Sequence, residues 1–237
     1  MLFHLLAPLQ PYWEPFRLFY YISFRAVGAA VTALLMAFLI GPLIIARLRS
    51  MALHQVVREG TPDSHQAKGT TPTMGGLIIL AATIVPTLLW AKLDNRYVML
   101  AMVVMAAMGG IGFLDDYLKL RQKRLGEKNE GLVERYKLFG QIVIGVALGT
   151  YLWLDPISTL PGASTTLPFF KYVLIVPMSV GFAWLYVPFV TFILSGASNA
   201  VNFTDGLDGL AAGLCAIAAV TFAVYAYAMG RIDVSGY

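Results

Sequence analysis

Six uncharged apolar runs constrain this chain more than any other feature of its sequence. They cover residues 26–46, 74–91, 97–114, 138–154, 172–194 and 209–230, and the length of each falls within the roughly 17–25 residues that a helix needs to cross a bilayer. Only 13% of the residues are charged, against about 25% in soluble domains. A membrane β-barrel would instead show short alternating segments. The sequence predicts an all-α integral membrane protein, a polytopic bundle of six transmembrane helices in one domain, 1–237.

Lysine and arginine predict the orientation of these helices. The connections after the first and third runs hold 11 of the 17 cations, and cytoplasmic loops are the ones enriched in such residues. The other side carries an aromatic belt, formed by Tyr12, Trp13, Tyr20, Tyr21, Trp90, Tyr151, Trp153 and Tyr172. We therefore expect a periplasmic N-terminus, which lacks the basic start of a signal peptide. The net charge of +4 follows from this bias and does not indicate nucleic-acid binding.

Three unusual polar stretches fall on connections that this topology places on one side of the membrane. They are residues 54–76, 113–137 and 195–213. Because all three connections face the cytoplasm in the predicted arrangement, we expect them to form a single site. The single cysteine, Cys215, lies in the sixth run, and nothing indicates thiol chemistry.

The third stretch repeats polar residues at a spacing of three: Asn199, Asn202, Asp205 and Asp208. A helical or 3₁₀ backbone would bring them to one side. Such acceptors and amides suit a metal, a sugar hydroxyl or a base edge. The structural alternative is a solvated loop in which Thr204 or Asp205 caps the sixth helix.

The first stretch, "HQAKGTTPTMGG", is rich in glycine and proline and precedes the second apolar run. Exposed backbone amides at a helix start attract anions, with Lys68 and Thr73 close by in sequence. His54 and His65 stand eleven residues apart in the same loop. We interpret them as solvated side chains rather than metal ligands.

The second stretch places two carboxylates, Asp115 and Asp116, directly after an apolar run. A helix ending there would point its negative pole at them, which is unfavourable by roughly 0.3–1 kcal/mol per charge. Lys119 is spaced for an i, i+4 ion pair with Asp115. The second carboxylate calls for a proton or a divalent cation, and Mg²⁺ commonly binds one or two carboxylates together with substrate phosphates. The cations of this loop, Lys119 among them, suit those phosphates.

The motifs "HQAKGTTPTMGG", "FLDDY" and "NAVNFTDGLDGLA" together resemble the bacterial phospho-N-acetylmuramoyl-pentapeptide transferases, within the polyprenyl-phosphate N-acetylhexosamine-1-phosphate transferase superfamily. The resemblance runs through the chain in order and spacing. It implies transfer of phospho-N-acetylmuramoyl-pentapeptide from UDP-MurNAc-pentapeptide to undecaprenyl phosphate, giving lipid I and UMP. The alternative within the superfamily is transfer of N-acetylglucosamine 1-phosphate to a polyprenyl phosphate.

The resemblance also implies roles for individual residues. Asp115 and Asp116 match the acidic pair near Mg²⁺ and the lipid phosphate, as catalytic and metal-binding residues. Positions that match the nucleotide pocket are Lys68, Asn202, Asp205, Gly206, Leu207 and Asp208. Thr73, Lys119 and Asn199 complete the expected substrate-binding set. A carboxylate at Asp115 serves either as a base toward the lipid phosphate or as a nucleophile, and both roles remain open. The expected location is the bacterial inner membrane, and a homodimer is compatible with the resemblance.

Two features of the family lie outside these 237 residues: about four further spans with a third metal-binding aspartate, and a histidine-rich loop. We therefore expect this chain to be the N-terminal portion of a longer domain, with doubtful activity alone. A cation-coupled transporter is the main alternative class, but its acids usually sit near the bilayer midplane. A non-catalytic scaffold would need no matched polar motifs on three connections.

Overall fold

The computed structural model describes residues 1–51, 74–125, 132–155, 166–167, 170–174, 183–205 and 209–229. Seven α-helices lie in these ranges: α1 Leu2–Leu6, α2 Ile22–Met51, α3 Gly76–Trp90, α4 Arg96–Arg124, α5 Glu134–Leu154, α6 Tyr186–Thr204 and α7 Leu210–Met229. Short 3₁₀ turns at Ala7–Leu9 and Glu14–Tyr20 join α1 to α2. Two strands, β1 Thr166–Leu167 and β2 Phe170–Leu174, pair antiparallel between α5 and α6.

Four helices in the described part of the chain are long and apolar enough to cross a membrane: Ile22–Leu48, Arg96–Gln122, Glu134–Leu154 and Leu210–Ala228. Helix α3 is also apolar but only 15 residues long. Most large apolar side chains of these helices point outward, as expected where lipid rather than water surrounds a bundle. The predicted helical membrane fold is confirmed, and the chain is a multi-pass membrane protein.

The fifth predicted span, 172–194, is wrong in its boundaries. Its first residues belong to β2, and α6 begins only at Tyr186 and continues to Thr204. Residues 175–182 lie outside the described residues. Pro188 lies in the first turn of α6, where the missing N–H has no helical acceptor.

Helix α4 is longer than the apolar run that predicted it. It continues past Leu114 to Arg124 through leucine, lysine, glutamine and arginine, all good helix formers. Asp115 and Asp116 consequently lie inside the helix, about two turns before its end. The predicted clash with the negative helix pole is therefore wrong, since that effect is confined to the last turn.

Trp90 joins α3 to α2. Its indole Nε1 donates to Thr32 Oγ1 at 2.9 Å, and its ring stacks on Phe19 with centroids 5.8 Å apart. A Cβ on Gly28 would lie 2.6 Å from the same ring. A glycine at this position is thus what allows the indole to reach the backbone of α2.

Helices α5 and α6 pack closely in an antiparallel pair. Gly145 and Gly149 are buried on the face of α5 that meets α6. A Cβ on Gly145 would lie 2.7 Å from Cα of Thr191, and one on Gly149 would lie 2.9 Å from Cα of Val187. Small residues spaced by four allow backbones this close, as in many membrane helix pairs. This pairing positions the polar end of α6.

Candidate active site at the end of helix α4

Asp115 is anchored by two donors. Its Oδ2 accepts from Lys119 Nζ at 2.7 Å, and its Oδ1 accepts from the backbone N–H of Leu132 at 2.8 Å. The predicted i, i+4 ion pair is confirmed. The side chain is only 13% exposed. Asp115 therefore ties α4 to the start of the segment that leads into α5.

Asp116 points to a different partner. Its Oδ2 accepts from the backbone N–H of Met74 at 3.0 Å, while Lys119 Nζ lies 4.0 Å from its Oδ1. Successive helical side chains are about 100° apart, which is why the two carboxylates separate. The prediction that they serve two partners is confirmed.

Met74 has an unusual backbone conformation. Its φ is +75°, and it is the non-glycine residue with positive φ in the described part of the chain. Such a conformation costs roughly 1–2 kcal/mol for a residue with a Cβ. The backbone N–H of Met74, in this conformation, donates the hydrogen bond to Asp116. Backbone strain of this kind is most common at functional sites, where surrounding contacts maintain it.

The Met74–Asp116 bond brings the end of the first polar stretch against the second. This contact joins residues 42 apart in sequence. Lys119 stands beside both carboxylates, so a cation and two acids occupy one side of α4. The arrangement offers carboxylate oxygens to a cation and an ammonium to an anion at the same place.

Within the third stretch, Asn199 and Asn202 occupy α6, and Asp205 is the residue at its C-terminal end. Asn199 is partly buried, and its Nδ2 donates to Gln141 Oε1 at 2.8 Å and to the carbonyl of Ser195 at 2.9 Å. Asn202 and Asp205 are exposed. The three residues therefore do not share one environment: Asn199 faces α5, and the other two are open to a ligand.

The alternative that Thr204 or Asp205 caps the following helix is not what the structure shows. Thr204 is the last residue of α6, and its Oγ1 donates to the carbonyl of Val201 at 2.9 Å. Asp205 follows it, and α7 begins at Leu210. Gly209, with φ of +83°, is the residue before α7, and glycine adopts that conformation without steric cost.

Gln141 is a buried polar residue between α5 and α6 that the sequence analysis missed. It is 1% exposed, and its Nε2 donates to Ser198 Oγ at 3.2 Å. The sequence did contain a signal for this contact: a glutamine inside an apolar run, four residues before Gly145 and eight before Gly149. Polar side chains at membrane depth usually face another helix.

Several predicted site residues lie outside the described residues: Lys68, Thr73, Gly206, Leu207 and Asp208, together with His54 and His65. Their proposed roles stay predictions. Among the residues that the structure describes, no three His, Cys, Asp or Glu side chains come together as a metal cluster. Within the described residues, Asp115 and Asp116 form a pair of acids with no third one beside them.

The sequence profile of glycosyl transferase family 4 matches residues 97–236. The chain belongs to this family. The matched region contains both aspartates of α4 and the whole third polar stretch. The membership is consistent with the family-level resemblance of the three motifs.

Curated relatives named phospho-N-acetylmuramoyl-pentapeptide-transferase align with the chain. The protein of Gemmatimonas aurantiaca is 68% identical over the full chain and 62% of its own length. A Geobacter protein is 45% identical over the full chain and 63% of its own length. That of Chlorobium chlorochromatii is 45% identical over 92% of the chain and 56% of its own length. The chain thus spans about three fifths of the length of these family members.

Proposed function

We propose that the full-length protein transfers phospho-N-acetylmuramoyl-pentapeptide from UDP-MurNAc-pentapeptide to undecaprenyl phosphate, releasing UMP and forming lipid I. The observation that carries this proposal is the junction on α4, where Asp115, Asp116 and Lys119 lie together and Asp116 bonds Met74 at the end of the first polar stretch. The 68% identity to a relative that bears the transferase name supports the choice of substrates.

The location of the junction suits two substrates of opposite solubility. A polyprenyl phosphate keeps its chain in the bilayer and its phosphate at the interface, whereas a sugar nucleotide arrives from water. Asp115 and Asp116 follow the apolar part of α4, so they lie at such an interface. With the positive-inside bias, we place this face in the cytoplasm, the N-terminus in the periplasm and the protein in the inner membrane.

Mg²⁺ is the cofactor that we assign to the site. The two carboxylates of Asp115 and Asp116 fit this cation. Each of their oxygens has one described hydrogen bond or ion contact. Because a carboxylate oxygen has two lone pairs, one lone pair on each oxygen is left to bind a cation. These two residues would hold the cation, with substrate phosphates completing its shell. Bound Mg²⁺ supplies neutralisation of charge on the phosphates as the new bond forms.

The chain's own groups have chiefly a positioning task. A lipid phosphate oxygen is already a competent nucleophile, so holding it in line with the sugar-linked phosphate provides most of the catalysis. Lys119 attracts phosphate oxygens while it orients Asp115. Asn202 and Asp205 are exposed at the end of α6, where they are available to the nucleotide.

The test is UMP release by the purified full-length protein, supplied with UDP-MurNAc-pentapeptide and undecaprenyl phosphate across a Mg²⁺ titration. We expect turnover that requires both substrates and the cation. Omission of the lipid is the control for simple hydrolysis. Efficient turnover of UDP-N-acetylglucosamine with no turnover of the muramoyl donor would contradict the proposal.

A further inference from the structure

Gln141 has a fully buried polar side chain in the described part of the bundle. Both the nitrogen and the oxygen of its amide form hydrogen bonds. Nε2 donates to Ser198 Oγ at 3.2 Å, and Oε1 accepts from Asn199 Nδ2 at 2.8 Å. Each bond reaches α6 from α5, across 57 or 58 residues of sequence. Gln141 therefore clamps two successive residues of α6.

The clamp stands at one end of a regular contact line between the two helices. Gly149 meets Val187 and Gly145 meets Thr191, and Gln141 continues this four-residue spacing toward the polar end of α6. Backbone packing holds the first two contacts. At the third, side-chain hydrogen bonds replace it.

Beyond this clamp, the last described residues of α6 are largely exposed. Residues 200–203 are exposed, and Phe203 is 90% exposed. Asn202 lies three residues past Asn199, and Asp205 lies six past it. The Asn199–Gln141 bond is therefore the last described hydrogen bond between helices before these two exposed residues.

We infer that Gln141 is a positioning residue for the nucleotide side of the site: its bonds to Ser198 and Asn199 fix the end of α6 that presents Asn202 and Asp205. The inference rests on the proposed function for the identity of the ligand. Helix packing does not require the amide here, because an apolar side chain of the same length would fill the same space. The amide adds a defined angular position, since two hydrogen bonds fix both rotation and translation of α6 against α5.

The experiment compares Gln141→Met with Gln141→Glu in the full-length protein. Methionine keeps the length and removes both hydrogen bonds. A buried glutamic acid stays protonated, so its carbonyl accepts from Asn199 and its hydroxyl donates to Ser198. Thr191→Val is the matched control, because the Thr191 hydroxyl lies in the same contact line but bonds its own helix, at the carbonyl of Val187.

Two readouts are measured. Nitroxide labels on cysteines replacing the exposed Tyr136 and Phe203 report the distance distribution between α5 and the end of α6. The background is the full-length protein with Cys215 and every other native cysteine replaced by serine. Steady-state kinetics report KM for UDP-MurNAc-pentapeptide separately from kcat. For Gln141→Met we expect a broadened distribution and a KM about tenfold higher, with kcat changed less than about threefold. Gln141→Glu and Thr191→Val should resemble the wild type in both readouts.

An unchanged distance distribution in Gln141→Met would overturn the inference, as would a broadened distribution with an unchanged KM. Failure of Gln141→Glu to restore both readouts would also count against it. A wild-type protein without turnover contradicts the proposed function instead. In that case the distance distribution alone decides whether Gln141 positions α6.

Discussion

Two adjacent side chains, Asp115 and Asp116, hold different parts of the chain. Asp115 bonds Lys119 and the backbone of Leu132, whereas Asp116 bonds the backbone of Met74. An i, i+4 ion pair on a helix contributes about 0.3–0.5 kcal/mol where it is exposed, and the Asp115–Lys119 pair is partly buried. A carboxylate that binds Mg²⁺ and orients a phosphate contributes much more to the transition state. Turnover therefore distinguishes the two roles better than stability does.

Asp115→Asn and Asp116→Asn in the full-length protein are each expected to reduce turnover about a hundredfold or more, which corresponds to about 2.7 kcal/mol of barrier. Asparagine retains the size and one acceptor, so folding should persist. The measurement is UMP release across a Mg²⁺ titration. Asp94→Asn, an exposed acid near His4, is the control and should keep wild-type rates. Wild-type turnover in both the Asp115→Asn and Asp116→Asn variants would contradict a catalytic role and leave the two residues with a structural one.

Met74 tests whether the conformation at this junction matters. Met74→Leu and Met74→Ile introduce side chains of equal volume, but only isoleucine is β-branched. β-Branched residues are strongly disfavoured at positive φ. We expect Met74→Ile to be less stable than Met74→Leu by about 1–2 kcal/mol, with lower turnover because the N–H that Asp116 accepts is displaced. Reversible unfolding in mixed micelles measures the difference in stability. Equal stabilities of the two variants would contradict a positive φ at position 74.

Among the helices, α5 and α6 form the closest described contact. Gly145 and Gly149 permit backbone approach, and Gln141 adds polar bonds at one end. Membrane helices gain no hydrophobic driving force from each other, so close packing and interhelical hydrogen bonds provide their association. In the polar half of α6, Ser198 and Asn199 are the described residues that gain hydrogen-bond partners from α5.

Gly145→Ala is expected to destabilise the protein by about 1–3 kcal/mol, because the new methyl group overlaps the backbone of Thr191 and the helices must separate. The control is Gly196→Ala on α6, where a Cβ meets no described atom within 4 Å. That variant should stay within about 1 kcal/mol of the wild type. Equal losses in the two variants would mean that the α5–α6 contact is not close-packed at Gly145.

Across the protein as a whole, the arrangement of helices determines which connections share a side of the membrane. The first two polar stretches meet at the Met74–Asp116 bond. Helices α5 and α6 run antiparallel, so the polar end of α6 lies at the same end of this pair as the start of α5. The orientation relative to the two compartments stays a prediction from the cation bias.

Reporter fusions test that orientation. A fusion after Lys128 should read as cytoplasmic and a fusion after Gly162 as periplasmic, because Lys and Arg concentrate on the first of these connections. Alkaline phosphatase and a fluorescent protein at each position give opposite signals on the two sides, so each position has an internal control. The reverse pattern would separate the site from cytoplasmic nucleotide and contradict the proposed function.

Much of this protein follows from local sequence. Apolar length predicts the helices α2, α4, α5 and α7, since the bilayer imposes that length on each helix separately. Spacing along one helix predicts the Asp115–Lys119 pair, because residues four apart meet on any α-helix. The divergence of Asp115 and Asp116 follows from the same geometry.

Other features arise only when the helices pack. The Met74–Asp116 bond joins residues 42 apart, and the Asn199–Gln141 bond joins residues 58 apart. No local rule pairs such residues, because the partner depends on which helix faces reach each other. Local sequence left both a helical backbone and a solvated loop open for residues 199–208, and the structure shows that α6 continues to Thr204. Sequence could not decide between them, because the bonds of Ser198 and Asn199 to Gln141 come from another helix.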